Sequence, residues 1–166
     1  MQFKAGDCIV HPTHGIGNIV RLEEKRLAED QLRLYYVVAA DKSTLWVPVD
    51  ENGASGLRAV TPKRDLDQYR GLLQSRPSTL ERDYNKRRLE INERVKQGSF
   101  QSLCEAVRDL TAQGWNRPLG EFDASSLKRL RARLCCEWAA AAGISIQEAT
   151  TEVQELLLAA QQSYQS

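Results

Sequence analysis

What most limits the folds open to this chain is a change of hydrophobic period at Thr61. Up to about residue 61 the apolar residues come in short β-branched runs: "DCIVH" (7–11), "IGNIVRL" (16–22), "LRLYYVVAA" (32–40), "TLWVPVD" (44–50) and "LRAV" (57–60). Between them stand "PTHG", "EKRLAED", "DKS" and "ENGASG", which read as turns and breaks. Five short strands in about 60 residues cannot make two packed sheets, so the expectation is a small, strongly bent barrel that buries one face of each strand.

Beyond Thr61 the apolar residues recur at helical steps. "TPKRDLDQYRGLLQS" predicts a helix with Thr61 as cap and Pro62 at the first helical position, where the missing N–H costs nothing. A second helix is expected in "PSTLERDYNKRRLEINERVKQG", where Ser78 and Glu81 have capping-box spacing and Gly98 supplies the stop. The third, "SFQSLCEAVRDLTAQG", sets Leu103, Val107 and Leu110 on one face and ends at Gly114. A fourth runs from about Asp123 through Leu127, Leu130, Leu134 and Trp138. The last opens on a second capping box, Ser145 and Glu148, and presents Ala149, Val153, Leu156 and Leu157. Trp115, in the loop "GWNRPLGEF", is expected to pack back as a lid. The fold class is therefore α+β in two domains: a β domain over 1–61 and a compact all-α domain over 62–166.

Composition narrows the function classes. The 166 residues are 42% hydrophobic and 27% charged, as in folded globular chains. There is no run of roughly 18 apolar residues, and "MQFKAGD" lacks the charged-then-apolar pattern of a secretory signal, so a cytoplasmic chain without a membrane partner is expected. Cys8, Cys104, Cys135 and Cys136 have no framework spacing and are expected as reduced thiols packed as small hydrophobes. The net charge of +1 is unevenly spread: residues 62–96 carry ten Lys/Arg against six Asp/Glu, while the segments before and after are slightly acidic. Only that middle segment resembles a phosphate-facing surface.

Catalytic chemistry finds little support. His11, His14 and Cys8 lie close in sequence, but a Zn²⁺ site needs about four converging ligands, and the chain has neither a Cys-x-x-Cys pair nor a third histidine. His11 reads instead as a strand-end residue before the tight connection "PTHG". Gly15 and Gly17 are only a fragment of a phosphate-binding loop, without the third glycine and following helix. A Cys8 nucleophile would need His11 or His14 folded against it as base. Carboxylate neighbours such as Glu23 with Glu24, or Asp50 with Glu51, suit a solvated face. No enzyme and no cofactor is expected.

The second helix carries more information. Tyr84, Arg87 and Arg88 are three and four residues apart, one turn along a single helical face, with Arg82, Lys86 and Arg94 flanking it. Two readings stand open: a solvated charged helix whose Tyr84 packs inward with Leu80, or a nucleic-acid surface whose cations hold phosphates while the ring reaches the bases or the groove.

"FKAGDCIVHPTHGIGNIVRLEEK", followed by "YYVV", "LWVPVD" and "GLRAV", resembles the amino-terminal module of the CarD/CdnL bacterial transcription regulators, itself similar to the RNA polymerase-interacting domain of transcription-repair coupling factor. "KQGSFQSLCEAVRDL" and the helices after it resemble the CarD carboxy-terminal domain, so the likeness covers nearly the whole chain. The resemblance implies that the β domain is a five-stranded Tudor-like barrel that docks on the polymerase β subunit by offering a strand edge. In this sequence the corresponding residues are Thr44, Leu45, Trp46 and Val47, with Lys25 at a basic contact position; Trp46 stands where the family often has a second basic residue. It also implies that the helical domain contacts promoter DNA with weak sequence preference at the upstream edge of the melted bubble, an aromatic wedge, usually Trp, entering the minor groove. Fourteen residues before Gly98 that position is Tyr84, which covers less area than an indole. Lys86, Arg87 and Arg88 match the basic phosphate contacts, with Arg82 beside them. The expectation is a cytoplasmic, nucleoid-associated monomer that binds RNA polymerase and stabilises the open promoter complex. The alternatives are a protein-binding module without a functional DNA contact, and a thiol or metal sensor built on Cys8, His11 and His14.

Overall fold

The computed structural model describes residues 3–26, 31–49 and 56–165, which fall into two compact units, Met1–Val60 and Thr61–Ser166. In the first unit five strands, β1 (Cys8–His11), β2 (Gly15–Arg26), β3 (Leu32–Ala40), β4 (Ser43–Pro48) and β5 (Arg58–Ala59), form one antiparallel sheet in the order β4-β3-β2-β1-β5. Its core is Ile9, Ile19, Tyr36, Val38, Ala40, Val47 and Leu57, with Phe3, Leu45 and Val49 packed around it. Val47 lies on one edge strand and Leu57 immediately precedes the other, so the sheet must curl to bring both edges over one core. That is the small, bent, five-stranded architecture expected from the sequence.

The strand limits differ in detail. β2 does not stop at Leu22: Glu23, Glu24, Lys25 and Arg26 pair with Tyr35, Leu34, Arg33 and Leu32. Charged residues are tolerated there because this stretch of the strand is largely solvent-exposed. The register slips between Ile19 and Arg21, leaving Val20 as an extra residue; the bulge keeps Ile19 in the core and sends Arg21 to the outer face. β4 begins at Ser43 and ends at Pro48, and β5 shrinks to Arg58–Ala59. The remainder of the expected breaks, over 27–30 and 51–55, and the Asp50–Glu51 pair lie outside the described residues.

The "HPTHGIG" stretch is a turn with two local requirements. His11 Nδ1 accepts the backbone N–H groups of Thr13 and His14 at 3.0 and 3.2 Å, so the imidazole caps the connection from β1 to β2. A Cβ on Gly17 would lie 2.9 Å from the Ala39 carbonyl oxygen, so β3 can approach β2 there only because residue 17 has no side chain.

The second unit opens with a 3-10 turn (Lys63–Asp65), followed by α1 (Leu66–Gln74), α2 (Tyr84–Gln97), α3 (Phe100–Gln113), α4 (Glu121–Ala142) and α5 (Ile146–Tyr164). Two expected helix starts are corrected. Thr61 is no cap: its N–H and Oγ1 both donate to the buried Glu137 carboxylate, at 3.2 and 2.8 Å, and the α-helix begins only at Leu66. Nor do Ser78 and Glu81 start a helix. The Ser78 N–H donates to Asp109 Oδ1 at 2.9 Å and the Glu81 N–H to Glu90 Oε2 at 3.1 Å, and α2 starts at Tyr84, capped by Asp83 accepting the Lys86 N–H. The other signals hold: Gly98 closes α2 in the left-handed conformation at φ 71°, and Ser145 caps α5 by accepting the Glu148 N–H. α4 begins at Glu121, two residues ahead of Asp123.

The helical core gathers Leu66, Leu73, Leu80, Ile91, Phe100, Val107, Leu110, Leu130, Leu134, Trp138, Ala149, Val153 and Leu157, with Leu103, Leu127 and Leu156 at its margin. Trp138 is wholly buried and donates its indole N–H to Glu152, which also holds Arg70 at 2.6 Å. Trp115 is half-buried. No disulfide joins the four cysteines; Cys104 and Cys135 pack as small hydrophobes and burial pushes the Cys135 thiol up, whereas Cys8 is exposed, contrary to expectation.

Candidate functional site

Two surfaces, one on each unit, carry the residues singled out in the sequence. On the β unit, among the described residues β4 pairs with β3 alone, so it is an edge strand of this sheet. Pairing alternates its side chains. Thr44 and Trp46 stand opposite Ala39 and Val37, while Leu45 and Val47 stand opposite Val38 and Tyr36 and turn into the core. Of the five expected polymerase-contact residues, Lys25, Thr44 and Trp46 therefore offer side chains on the outer face, and Leu45 and Val47 offer only backbone.

Trp46 is 43% exposed and is fixed by charge on β2. Its indole N–H donates to Glu23 Oε2 at 3.2 Å, Arg21 holds the same oxygen at 3.2 Å, and the Lys25 ammonium sits 4.3 Å from the ring centroid. Val37, opposite both Trp46 and Arg21, is only 1% exposed although it is not part of the inner core. The hydrogen bond from Trp46 holds the Glu23 carboxyl below the usual carboxylate range, with Arg21 and Lys25 acting in the same direction. In the sequence Arg21 was one residue of an expected strand and Glu23 half of a carboxylate pair on a solvated face; the bulge at Val20 and the continuation of β2 bring them beside Trp46.

On the helical unit, Tyr84 opens α2 and is 48% exposed, outside the core cluster that takes Leu80. The inward-packed reading of Tyr84 therefore fails. Its ring meets Phe122, in the first turn of α4, edge to face at 5.9 Å between centroids. The Arg87 guanidinium lies 6.0 Å from the Tyr84 centroid and that of Arg88 5.2 Å from the Phe122 centroid. The result is an exposed Tyr84 ring backed by a half-buried Phe122 ring, with a guanidinium near each.

The basic residues divide into two groups. Arg87 is occupied within the protein: Nε meets Asp123 Oδ2 at 2.9 Å, and one terminal nitrogen donates to the carbonyls of Glu81 and Arg82 at 3.1 and 3.0 Å. Its side chain is 13% exposed and that of Asp123 3%. Arg94 is likewise held by Asp109 and Glu90. Arg82, Lys86 and Arg88 are exposed, and none has a carboxylate partner among the described residues. Arg87 thus fastens the segment before α2 to the start of α4, while Arg82, Lys86 and Arg88 are exposed, Arg88 lying beside Phe122. Phe122 and Asp123 were missed in the sequence because their partners lie far along the chain.

Among the described residues, no group of three or more His, Cys, Asp or Glu side chains is placed to hold a metal ion. No helix of the described residues is long and apolar enough to cross a membrane.

A curled β module followed by a five-helix module is a two-domain α+β architecture, and comparison with known sequences says which family carries it. Residues 3–61 match the family described as the CarD-like/TRCF RID domain, and residues 70–154 match the CarD C-terminal domain. The chain is 32% identical over 111 residues, 66% of its own length and 72% of the other, to a Bacillus subtilis (strain 168) protein named "Putative transcription factor YdeB". The chain belongs to the CarD family of transcription regulators, with an amino-terminal module of the RNA polymerase-interacting type. The family is one of transcription factors, not an enzyme class.

Proposed function

We propose that this protein docks on the β subunit of RNA polymerase through the β4 edge and stabilises the open promoter complex by bracing DNA at the upstream edge of the bubble. In this reading Thr44 to Val47 offer backbone groups to a strand of the polymerase, and Trp46 and Lys25 add a stacked apolar and cationic surface beside it. Tyr84 is the wedge, Arg82, Lys86 and Arg88 take phosphates in the minor-groove region, and Arg87 contributes by holding the wedge in place. The protein acts as a monomer in the cytoplasm, at the nucleoid.

The observation that carries this reading is the exposed Tyr84 ring, backed by Phe122, on a helix start that also exposes Arg82, Lys86 and Arg88. A polar segment holds the Tyr84 ring out at a cost in exposed apolar area, and a distorted base step is the surface that recovers it. Docking supplies position, so a weak DNA contact acts at a high effective concentration. A gain of about 1.4 kcal/mol raises the open form about tenfold relative to the closed one.

Open-complex lifetime measured with Tyr84→Ala tests the DNA contact, and a polymerase β-subunit pull-down with Trp46→Ala tests docking. The expected results are a lifetime severalfold shorter and a weakened pull-down. The second reading, an interaction module without a functional DNA contact, draws on the internal pairing of Arg87, which removes one cation from the outer face. An unchanged lifetime with Tyr84→Ala together with intact polymerase binding would select it.

A further inference from the structure

Beside the start of α2 lies a cleft of about 600 Å³ bounded by the segment before α2, the end of α3, the loop after it and the end of α5. Its lining includes Arg76, Arg82 and Arg117, all exposed and none with a carboxylate partner among the described residues. Arg76 is stacked over Tyr164, 5.0 Å from the ring centroid, which holds its guanidinium at the cleft wall. The carboxylates nearby do not cancel this charge. Asp109 is completely buried and shared between Arg94 at 2.6 Å and Arg108 at 2.9 Å, so two cations already meet one anion there; among the described lining residues Glu81 is the one exposed acidic group.

We propose that this arginine cleft seats phosphates of the DNA backbone, continuing the interface away from Tyr84. The inference rests on the DNA-bracing reading above, because Arg82 belongs to both surfaces and Arg87 both lines the cleft and clamps the wedge. Planar guanidiniums without carboxylate partners are the side chains that grip phosphodiester oxygens. Arg76 and Arg117 come from loops on either side of the cleft, so together they would hold a backbone that passes between them. Such contacts carry no sequence information and add affinity and register.

The test is the salt dependence of binding between the full chain and a short labelled duplex, read by fluorescence anisotropy. For the Arg76→Gln/Arg117→Gln double variant, the slope of log affinity against log salt should fall by nearly two, about 0.9 for each phosphate no longer neutralised. Arg76→Lys/Arg117→Lys, which keeps the charge, should retain most of the slope, and both variants should melt as the wild type does. A wild-type slope in the Gln variant, with a reduced slope in Lys86→Gln/Arg88→Gln, overturns the cleft and leaves the wedge reading standing. Unchanged slopes in both overturn the two together. Nucleoside triphosphate binding that needs Arg76 and Arg117, with an unchanged DNA slope, replaces DNA by a small phosphorylated ligand and also overturns the proposal.

Discussion

At the scale of single residues, both surfaces show aromatic rings fixed by charge. Trp46 is tied by a carboxylate at its N–H and an ammonium over its face, and Tyr84 by a second ring and a guanidinium. In each case the side chain that meets solvent is held in place before any partner arrives, which lowers the ordering cost of binding. The Trp46 tie depends on pH. Because Glu23 titrates below its ordinary value in the folded chain, the contact is complete above the ordinary carboxylate pKa and fades as the pH falls through the depressed folded value. Trp46→Phe keeps a ring and removes the donor, so the Glu23 carboxyl should titrate closer to the ordinary carboxylate value; an NMR titration of its side-chain carbonyl checks this. A Glu23 titration that does not move with Trp46→Phe would assign the lowering to Arg21 and Lys25 instead.

Elements reveal why some of the structure was legible in the sequence and some was not. The strands and helices follow from the period of apolar residues, a property of neighbours, and the cap at Ser145 is equally local. The start of α2 is different. Ser78 and Glu81 have the spacing of a capping box, yet the Ser78 N–H is taken by Asp109, 31 residues away, and the true cap is Asp83. Long-range satisfaction of a backbone donor overrode a local signal, and no short window of the sequence contains both partners. The same distance in sequence hid Phe122 from Tyr84 and Asp123 from Arg87. It also left the inward-packed and outward readings of Tyr84 both open from its own helix alone. Asp109 carries a prediction: its carboxylate is wholly buried between Arg94 and Arg108, whose side chains are 18% and 12% exposed. Asp109→Ala strips Arg108 of its carboxylate and leaves Arg94 with Glu90 alone. The expected cost is about 3 kcal/mol, read as a lower urea midpoint by circular dichroism, with α2 amides losing hydrogen-exchange protection before those of α5.

For the whole molecule, the proposed function has two surfaces acting through one chain. If docking supplies the position at which Tyr84 acts, the two cannot contribute independently. Tyr84→Ala should shorten open-complex lifetime in the wild-type background and change it little once Trp46→Ala has removed docking, at concentrations where docking limits occupancy. A double-mutant cycle on lifetime reads that coupling directly. Additive effects would mean that the helical unit reaches DNA without the β unit holding it. The division at the change of period near Thr61 was plain in the sequence because each half buries its own core, whereas the fixing of the exposed rings arises only when distant segments meet.

The open flank of β4 has a cost of its own. An unsatisfied row of amides and carbonyls accepts any extended peptide of suitable length, another copy of the same protein included. Overproduced in excess of its binding partner, this chain should begin to stick to itself along that margin first, so that its solubility in a cell is governed by stoichiometry.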